Sequence, residues 1–493
     1  MSTRDHIVLF INGRRHEVRG DDAWMTLTDY LRLTLRLTGT KVVCAEGDCG
    51  SCTVSVGRPA GDKVDYTTVC GCILRLIQLD ATHVVTVEGL DYDGGLNPVQ
   101  SAMVQCNASQ CGFCTPGFVV TLHQLLQDGK KTDQDVRRKL TGNLCRCTGY
   151  DAILDAAKQC DVGSIRPLNT LYPDADVLPS LIALHATPVK VESSGRTFYK
   201  PTSVADTVAF RAAHADSVLL AGGTDLGVLM NKRKIDPKTI VSTAALPGFT
   251  AVDVTPDAIV VGGGATHDAV QRALKATMPD YFGYLEWFGS PQVRQAGTLA
   301  GNLATGSPIG DSLPPLCVLN AEVELTGTGG VRRVNLNDFY TGYRQTVMTS
   351  DELITRVVVP RPKPGESLKL YKVSKRRDLD ISTVSMAVWL KLSGPTIDDI
   401  RIAYGGVAAT VLRLRKTEAA LKGKPFTADT FDAVRDAVLG EITPLSDVRG
   451  SADYRNLVGQ NLLPRMFVEM TTAHDAAAHA SASNGQMNGK AAH

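Results

Sequence analysis

The 493 residues carry 52 basic and 51 acidic side chains, a formal net charge of +1, which gives no electrostatic case for nucleic acid or an anionic membrane surface as a partner. Hydrophobic residues make up 43%, ordinary for a globular chain, and no run approaches the roughly 20 apolar residues of a membrane span. The apolar run in MSTRDHIVLFINGRR is too short for a signal peptide, so a cytoplasmic chain of about three or four domains is expected.

Residues 6–87 alternate apolar and polar side chains in short runs, His6–Ile11, Thr53–Val56 and Val84–Val87. These predict strands of a small mixed sheet. Between the first two runs lie Cys44, Cys49 and Cys52, spaced C-x4-C-x2-C, with Cys72 beyond. That spacing is the one of a plant-type [2Fe–2S] site, where four thiolates hold one cluster. A loop of this kind must curl until its sulfurs converge. Gly47 and Gly50 permit the curl because they have no Cβ, and the backbone N–H groups then face the cluster. Cys70 lies two residues before Cys72 and competes for the fourth position; spacing does not choose between them.

From about Asn97 to Cys160 the pattern is helical. Pro116 suits a first helical turn; Phe118, Val119, Leu122, Leu125 and Leu126 share one face, and Gly129 ends the run. Thr132 with Asp135 starts the next helix, which carries Val136 and Leu140 and stops near Gly142. A second thiolate set, Cys111 and Cys114 with Cys145 and Cys147, therefore lies between helices. By ligand count that set also suits zinc. The first loop is much less zinc-like, and two such sites in one chain favour iron–sulfur. A disulfide framework is not expected in a chain this long without an export signal. Cys70, Cys106, Cys160 and Cys317 read as small buried hydrophobes.

Residues 161–195 have little periodicity and several prolines, the pattern of a linker with some short helix. The next block begins near Phe198 and mixes short strands with glycine-rich turns as far as Pro364. Arg361-Pro-Lys-Pro-Gly365 marks a boundary. The last block, about 368–470, contains a strand over Ser385–Leu392 and a helix around Thr417–Leu421; from Ala473 the sequence is low in complexity and is expected to be disordered. The expected domains are thus 1–90 around the first cysteine loop, 91–165 helical, 166–195 linker, 196–365, 366–472, and a tail 473–493.

Two turns in the fourth of these blocks follow apolar runs: Val218-Leu-Leu-Ala-Gly-Gly-Thr-Asp-Leu-Gly227, and Gly297-Thr-Leu-Ala-Gly-Asn302 continuing through Gly306-Ser-Pro-Ile-Gly-Asp311. Consecutive glycines after a strand let backbone N–H groups approach a diphosphate. No G-x-G-x-x-G opens a βαβ unit here, so the site is not of the Rossmann type. A third run, Gly262-Gly-Gly264, is read as structural. Two one-electron clusters call for a two-electron partner, and a flavin converts between the two regimes.

With these residues in hand, the chain resembles the iron–sulfur/flavin subunits of the molybdenum hydroxylase family, and within it those of the xanthine dehydrogenases. The resemblance runs from about residue 6 to 470. It rests on CAEGDCGSCTV (44–54), SQCGFCTPGF (109–118), GNLCRCTGY (142–150), AGGTDLG (221–227), GNLATGSPIGDS (301–312) and YKVSKRRDLDIS (371–382).

The resemblance implies a multidomain α+β fold: a β-grasp ferredoxin-like domain, a helical-bundle [2Fe–2S] domain, a two-part FAD-binding domain and an α+β C-terminal flavoprotein domain. It implies that Cys44, Cys49, Cys52 and Cys72 hold one cluster, the register from Thr86-Val-Glu-Gly89 selecting Cys72, and that Cys111, Cys114, Cys145 and Cys147 hold the other. FAD would meet Leu219, Leu220, Ala221, Gly222, Gly223, Thr224, Asp225 and Leu226, then Phe288, then Thr298, Leu299, Ala300, Gly301 and Asn302, and also Asp311, Ile354 and Lys372. Gln110 would approach the pterin of a molybdenum cofactor on a partner subunit, and Tyr343 the nicotinamide of NAD+. The family's molybdenum domain is several hundred residues long and has no room in this chain. A separate large subunit is therefore implied, with two copies of each. The implied activity is oxidation of hypoxanthine and xanthine to urate with NAD+ as acceptor; an aldehyde, nicotinate or aromatic acyl-thioester substrate is the alternative. No side chain of this chain is expected to act as catalytic acid or base.

Overall fold

The structure, a computed structural model, describes residues 3–487, with side chains described to Thr472. The first domain is a five-stranded sheet. Its strands are β1 (Ile7–Ile11), β2 (Arg14–Val18), β3 (Thr53–Ala60), β4 (Lys63–Cys70) and β5 (His83–Val85), in the order β2-β1-β5-β3-β4 with β1 and β5 parallel. Every residue of β1 is buried because both faces of the sheet are covered. Ile7, Leu9 and Ile11 face one core and Phe10 the other, so the strand reads as a continuous apolar run.

Four helices follow, Pro98–Gln105, Thr115–Leu126, Asp133–Leu140 and Asp151–Gln159. The second is the axis of this domain, with Phe118, Leu122 and Leu126 fully buried. Thr132 caps the third by accepting from the Asp135 N–H at 3.1 Å. The segment expected to be a linker is packed structure. Helix Asp174–His185 sets Val177, Leu178 and Leu181 into the core of the helical domain. Two of the prolines that argued for a linker, Pro167 and Pro173, stand at helix starts, where a missing N–H costs nothing.

The next sheet already begins with β6 (Val189–Ser193), joined by β7 (Arg196–Lys200), β8 (Val218–Leu220) and β9 (Thr239–Ser242) in the order β6-β7-β9-β8; β9 is parallel to both its neighbours. A second lobe is built on an antiparallel sheet of β10 (Val252–Val254), β11 (Ala258–Gly262), β12 (Glu322–Gly327), β13 (Gly330–Asn335) and β16 (Leu353–Pro360). A hairpin of β14 (Tyr340–Gly342) and β15 (Gln345–Thr346) projects beside it. The C-terminal sheet, β17 (Glu366–Val373), β18 (Val384–Ser393), β19 (Thr396–Gly405) and β20 (Leu412–Arg413), is antiparallel and covered by helices that include Arg415–Leu421. The closing helix, Ala452–Met487, runs into the stretch expected to be disordered, as its alanines favour; residues 488–493 of that stretch lie outside the described residues. No described helix is long and apolar enough to cross a membrane.

The first domain is welded to the β6–β9 sheet. One core joins Ile7, Leu9 and Val56 to Val189, Phe198, Leu220 and Ile240. Beside it Asp80, 7% exposed, accepts from Arg4 at 2.9 Å, from Lys200 at 2.5 Å and from the Val8 N–H at 2.8 Å. A buried carboxylate is tolerated only when its lone pairs are filled in this way.

Candidate functional site

The loop from Cys44 to Cys52 leaves the first sheet and doubles back over it. Gly47 and Gly50 adopt φ of +79° and +68°, the left-handed region that favours glycine. The four predicted cysteines come together. Cys44 touches Cys49 and Cys72, and Cys72 touches Cys52. Hydrogen bonds from Cys49 and Cys72 push the Cys44 thiol well down, while Cys72 is pushed up by holding its proton against Cys44 and Cys52. A metal centre bound here would displace those protons. Cys70 also reaches Cys52, but its thiol donates to the Gly47 carbonyl at 3.3 Å.

The second set gathers in pairs. Cys111 and Cys147 lie 3.6 Å apart, sulfur to sulfur, and Cys114 touches Cys145. Burial raises the Cys114 thiol to about 12. Burial opposes but does not prevent a lowered Cys145, because Thr148 donates to its sulfur from Oγ1 at 3.1 Å and from N at 3.4 Å. All twelve cysteines are free thiols. The second set, two pairs of thiols, fits a two-iron cluster in which each iron takes two thiolates.

The two loops touch directly. The Leu144 N–H donates to the Cys49 carbonyl at 2.9 Å, and Asn143 Nδ2 to the Gly50 carbonyl at 3.2 Å. A Cβ on Gly117 would collide with the Gly50 carbonyl, which explains a glycine inside a helix. Gln292, fully buried, closes the junction from the second lobe by donating to Asn143 Oδ1 at 2.9 Å. The sites differ in exposure. Cys52 and Cys72 are buried, whereas Cys111 and Cys147 are exposed beside exposed Gln110, Phe113 and Leu144.

Between the β6–β9 sheet and the second lobe runs a cleft of about 1100 Å³, large enough for a dinucleotide. Of the residues predicted to meet FAD, it is lined by all from Leu219 to Leu226, by Phe288, Thr298, Ala300, Gly301, Asn302 and Ile354; Tyr343 stands at its mouth. Leu299 instead points into the core. Asp311 and Lys372 stand outside the lining as a buried pair: Lys372 donates to Asp311 at 2.7 Å and to the Trp287 carbonyl at 2.9 Å, and Ser382 donates to Asp311 as well. Gln110 lies elsewhere, beside Cys111.

Gly223, at the carboxyl end of β8, has φ +69° and precedes helix Thr224–Asn231. Gly223 and the first residues of the helix, Thr224 and Asp225, line the cleft, and the free N–H groups of a helix start suit phosphate. Sequence reasoning missed His267. It lines the cleft, packs edge-on against Phe288 with ring centroids 4.6 Å apart, and keeps its buried Nδ1 without a partner. Burial, helped by Arg294, pushes its pKa down to about 3, so the ring is neutral. Ser217 Oγ, on the β6–β9 side of the same cleft, is also buried and unpartnered. Buried polar atoms left without partners in the cleft lining are what a bound flavin dinucleotide would satisfy. The only sequence signal for His267 was its place just after Thr266, a helix cap.

Two four-thiolate sites joined in series to a dinucleotide cleft define an iron–sulfur/flavin electron-transfer module. The chain matches four families: "2Fe-2S iron-sulfur cluster binding domain" over 9–75, "[2Fe-2S] binding domain" over 86–158, "FAD binding domain in molybdopterin dehydrogenase" over 190–362 and "CO dehydrogenase flavoprotein C-terminal domain" over 369–470. It is 32% identical to xanthine dehydrogenase 1 of Arabidopsis thaliana over 90% of its own length, and 29% identical to the xanthine dehydrogenase/oxidase of Mus musculus over 91%. It spans 38% of each of those relatives. Among solved structures it resembles a chain of the Cu,Mo-CO dehydrogenase, with 30% identity and a TM-score of 0.52, covering 54% of this chain and 94% of that one. A quinoline 2-oxidoreductase chain from Pseudomonas putida, 24% identical with a TM-score of 0.51, shares the fold over 55% of this chain and 94% of its own. The chain belongs to the molybdenum hydroxylase family, and its two [2Fe–2S] domains and FAD-binding domain are that family's electron-transfer module.

Proposed function

We propose that this module serves a xanthine dehydrogenase: the oxidation of hypoxanthine to xanthine and of xanthine to urate at a molybdenum centre on a partner subunit, with NAD+ as final acceptor. Bound in their sites, the clusters would carry single electrons and the flavin would convert pairs of them to a hydride. The protein's own part is positional. Cys111, Cys114, Cys145 and Cys147 hold the entry site, Cys44, Cys49, Cys52 and Cys72 the inner one, and the glycine turns with Phe288, Ile354 and His267 hold the dinucleotide. Lys372 and Asp311 brace the cleft wall from behind.

The observation that carries the reading is the polarity of the assembly. The entry cysteines are exposed with Gln110 beside them, which supports a docked partner there, and Tyr343 of the cleft lining is 61% exposed, which supports access for a soluble acceptor. Relatives named xanthine dehydrogenase that align along about nine-tenths of the chain support the purine substrate. The alternative keeps the same carriers but serves another hydroxylase, with an aldehyde, nicotinate or aromatic acyl-thioester substrate; the likeness to a CO dehydrogenase chain supports that breadth. The test is to purify the chain with whatever large subunit accompanies it and to follow NAD+ reduction with xanthine, an aldehyde and nicotinate in turn. NADH formation with xanthine alone is expected. Turnover of another substrate with none of xanthine would overturn the purine reading.

A further inference from the structure

Asn231, the last residue of helix Thr224–Asn231, makes contacts that neither the cysteine spacing nor the glycine turns explain. Its Nδ2 donates to the Ala45 carbonyl at 2.9 Å and to the Cys72 carbonyl at 2.8 Å, while its Oδ1 accepts from Arg75 at 2.8 Å. One half-buried side chain thus ties the 44–52 loop to the segment bearing the fourth cysteine, from 186 and 159 residues away. The same helix starts at the glycine turn in the cleft wall. Its eight residues rise about 12 Å, so the dinucleotide cradle and the inner cysteine site are joined by one short rod.

The middle of the rod is fitted to the same loop. A Cβ on Gly227 would collide with the Ile73 carbonyl, so the third glycine of AGGTDLG serves the contact with the cysteine segment. The neighbouring Lys232–Glu46 pair also crosses this interface but is largely exposed on both sides, and such pairs contribute little. The directed contact is therefore the amide of Asn231.

We propose that Asn231 is a positioning residue for electron transfer between the inner cysteine site and the flavin cleft, holding the cluster loop in register with the flavin helix by fixing the backbone at Ala45 and Cys72 through their carbonyls. The inference rests on the reading of these sites as [2Fe–2S] and FAD sites. Groups that orient metal ligands from outside are worth about tenfold or more in activity when removed.

The test uses the assembled holoenzyme with Asn231→Leu, an isostere without donors, and Arg75→Leu, which leaves both Asn231 donors in place. Iron and flavin are assayed first, and a wild-type protein lacking either would overturn the underlying reading before any variant is compared. In Asn231→Leu, with iron and flavin retained, the EPR g-values and reduction potential of the inner cluster should shift. That cluster should also be reoxidised by NAD+ about tenfold more slowly. Selective loss of inner-site iron, with the outer signal and flavin intact, would equally support the proposal. Arg75→Leu should keep the wild-type g-values. Wild-type g-values, potential and rate in Asn231→Leu would overturn the proposal, as would loss of flavin with both cluster signals unchanged.

Discussion

The two cysteine sites have the same ligands and opposite settings. The first lies in a loop on a sheet, walled in by Ile73, Val42 and Val228 and touched by the flavin-side helix. The second lies between helices with two of its sulfurs at the surface. The difference separates jobs. A site in the middle of a series must be contacted from both sides, and here its two neighbours reach it through its own backbone carbonyls, the Leu144 N–H donating to Cys49 and the Asn231 side-chain amide to Cys72. A site at the end needs only one inner neighbour and can leave its other face for a partner.

The sharpest way to break this comparison is to remove the inner site alone. Cys72→Ser should reduce the iron content from about four atoms per chain to about two and abolish the inner EPR signal, leaving the outer one. Cys70→Ser should leave both, because Cys70 is occupied by the Gly47 carbonyl. The opposite pattern would make Cys70 the fourth ligand. One step smaller is Gly223→Val, which cuts the series beyond both sites. A branched side chain at φ +69° costs about 1–3 kcal/mol locally and would collide with Gln78. The variant should retain full iron but lose flavin and NADH formation, with both clusters still reduced by substrate. Undiminished NADH formation from a verified flavin-free variant would show that NAD+ is reduced elsewhere.

Much of the site was legible in the sequence because its signals are local. Thiolates of one loop are spaced by the loop's own curl, and a strand that ends in paired glycines announces itself. What was hidden is what joins the parts. The role of Gly227 depends on the Ile73 carbonyl, and that of Asn231 on Ala45 and Cys72, contacts far apart in the chain. Asp311 and Lys372 belong beside the cleft, but as a buried pair behind its wall, an arrangement that no spacing encodes. The linker expected over 166–195 failed for a related reason. Its apolar residues have a partner only when the helical domain is already folded beside them.

The smallest effect tests whether the two domains respond to acid independently. Each hides one neutral histidine, and burial pushes both His83 and His123 down to about 4. The fully buried His83 accepts from the Gly13 N–H at its Nε2, at 3.0 Å, so its proton sits on Nδ1 and is donated to the Tyr66 hydroxyl at 2.7 Å. His123 instead meets the Tyr92 hydroxyl through Nε2 at 3.1 Å. An unfolded histidine takes up its proton near 6.5, whereas the native ones resist until about 4. Between those values the unfolded chain binds more protons, so stability is lost as pH falls. For one such histidine the loss is about 1.4 kcal/mol at a pH near 5.5. Hydrogen exchange of the β1 and β5 amides should therefore accelerate on acidification beyond its intrinsic pH dependence. His83→Gln should remove most of that extra change while leaving the helix Thr115–Leu126 as acid-sensitive as before; His123→Gln should do the reverse. If either variant quiets both domains, they open as one unit, and the separation between an inner and an outer site does not extend to their stability.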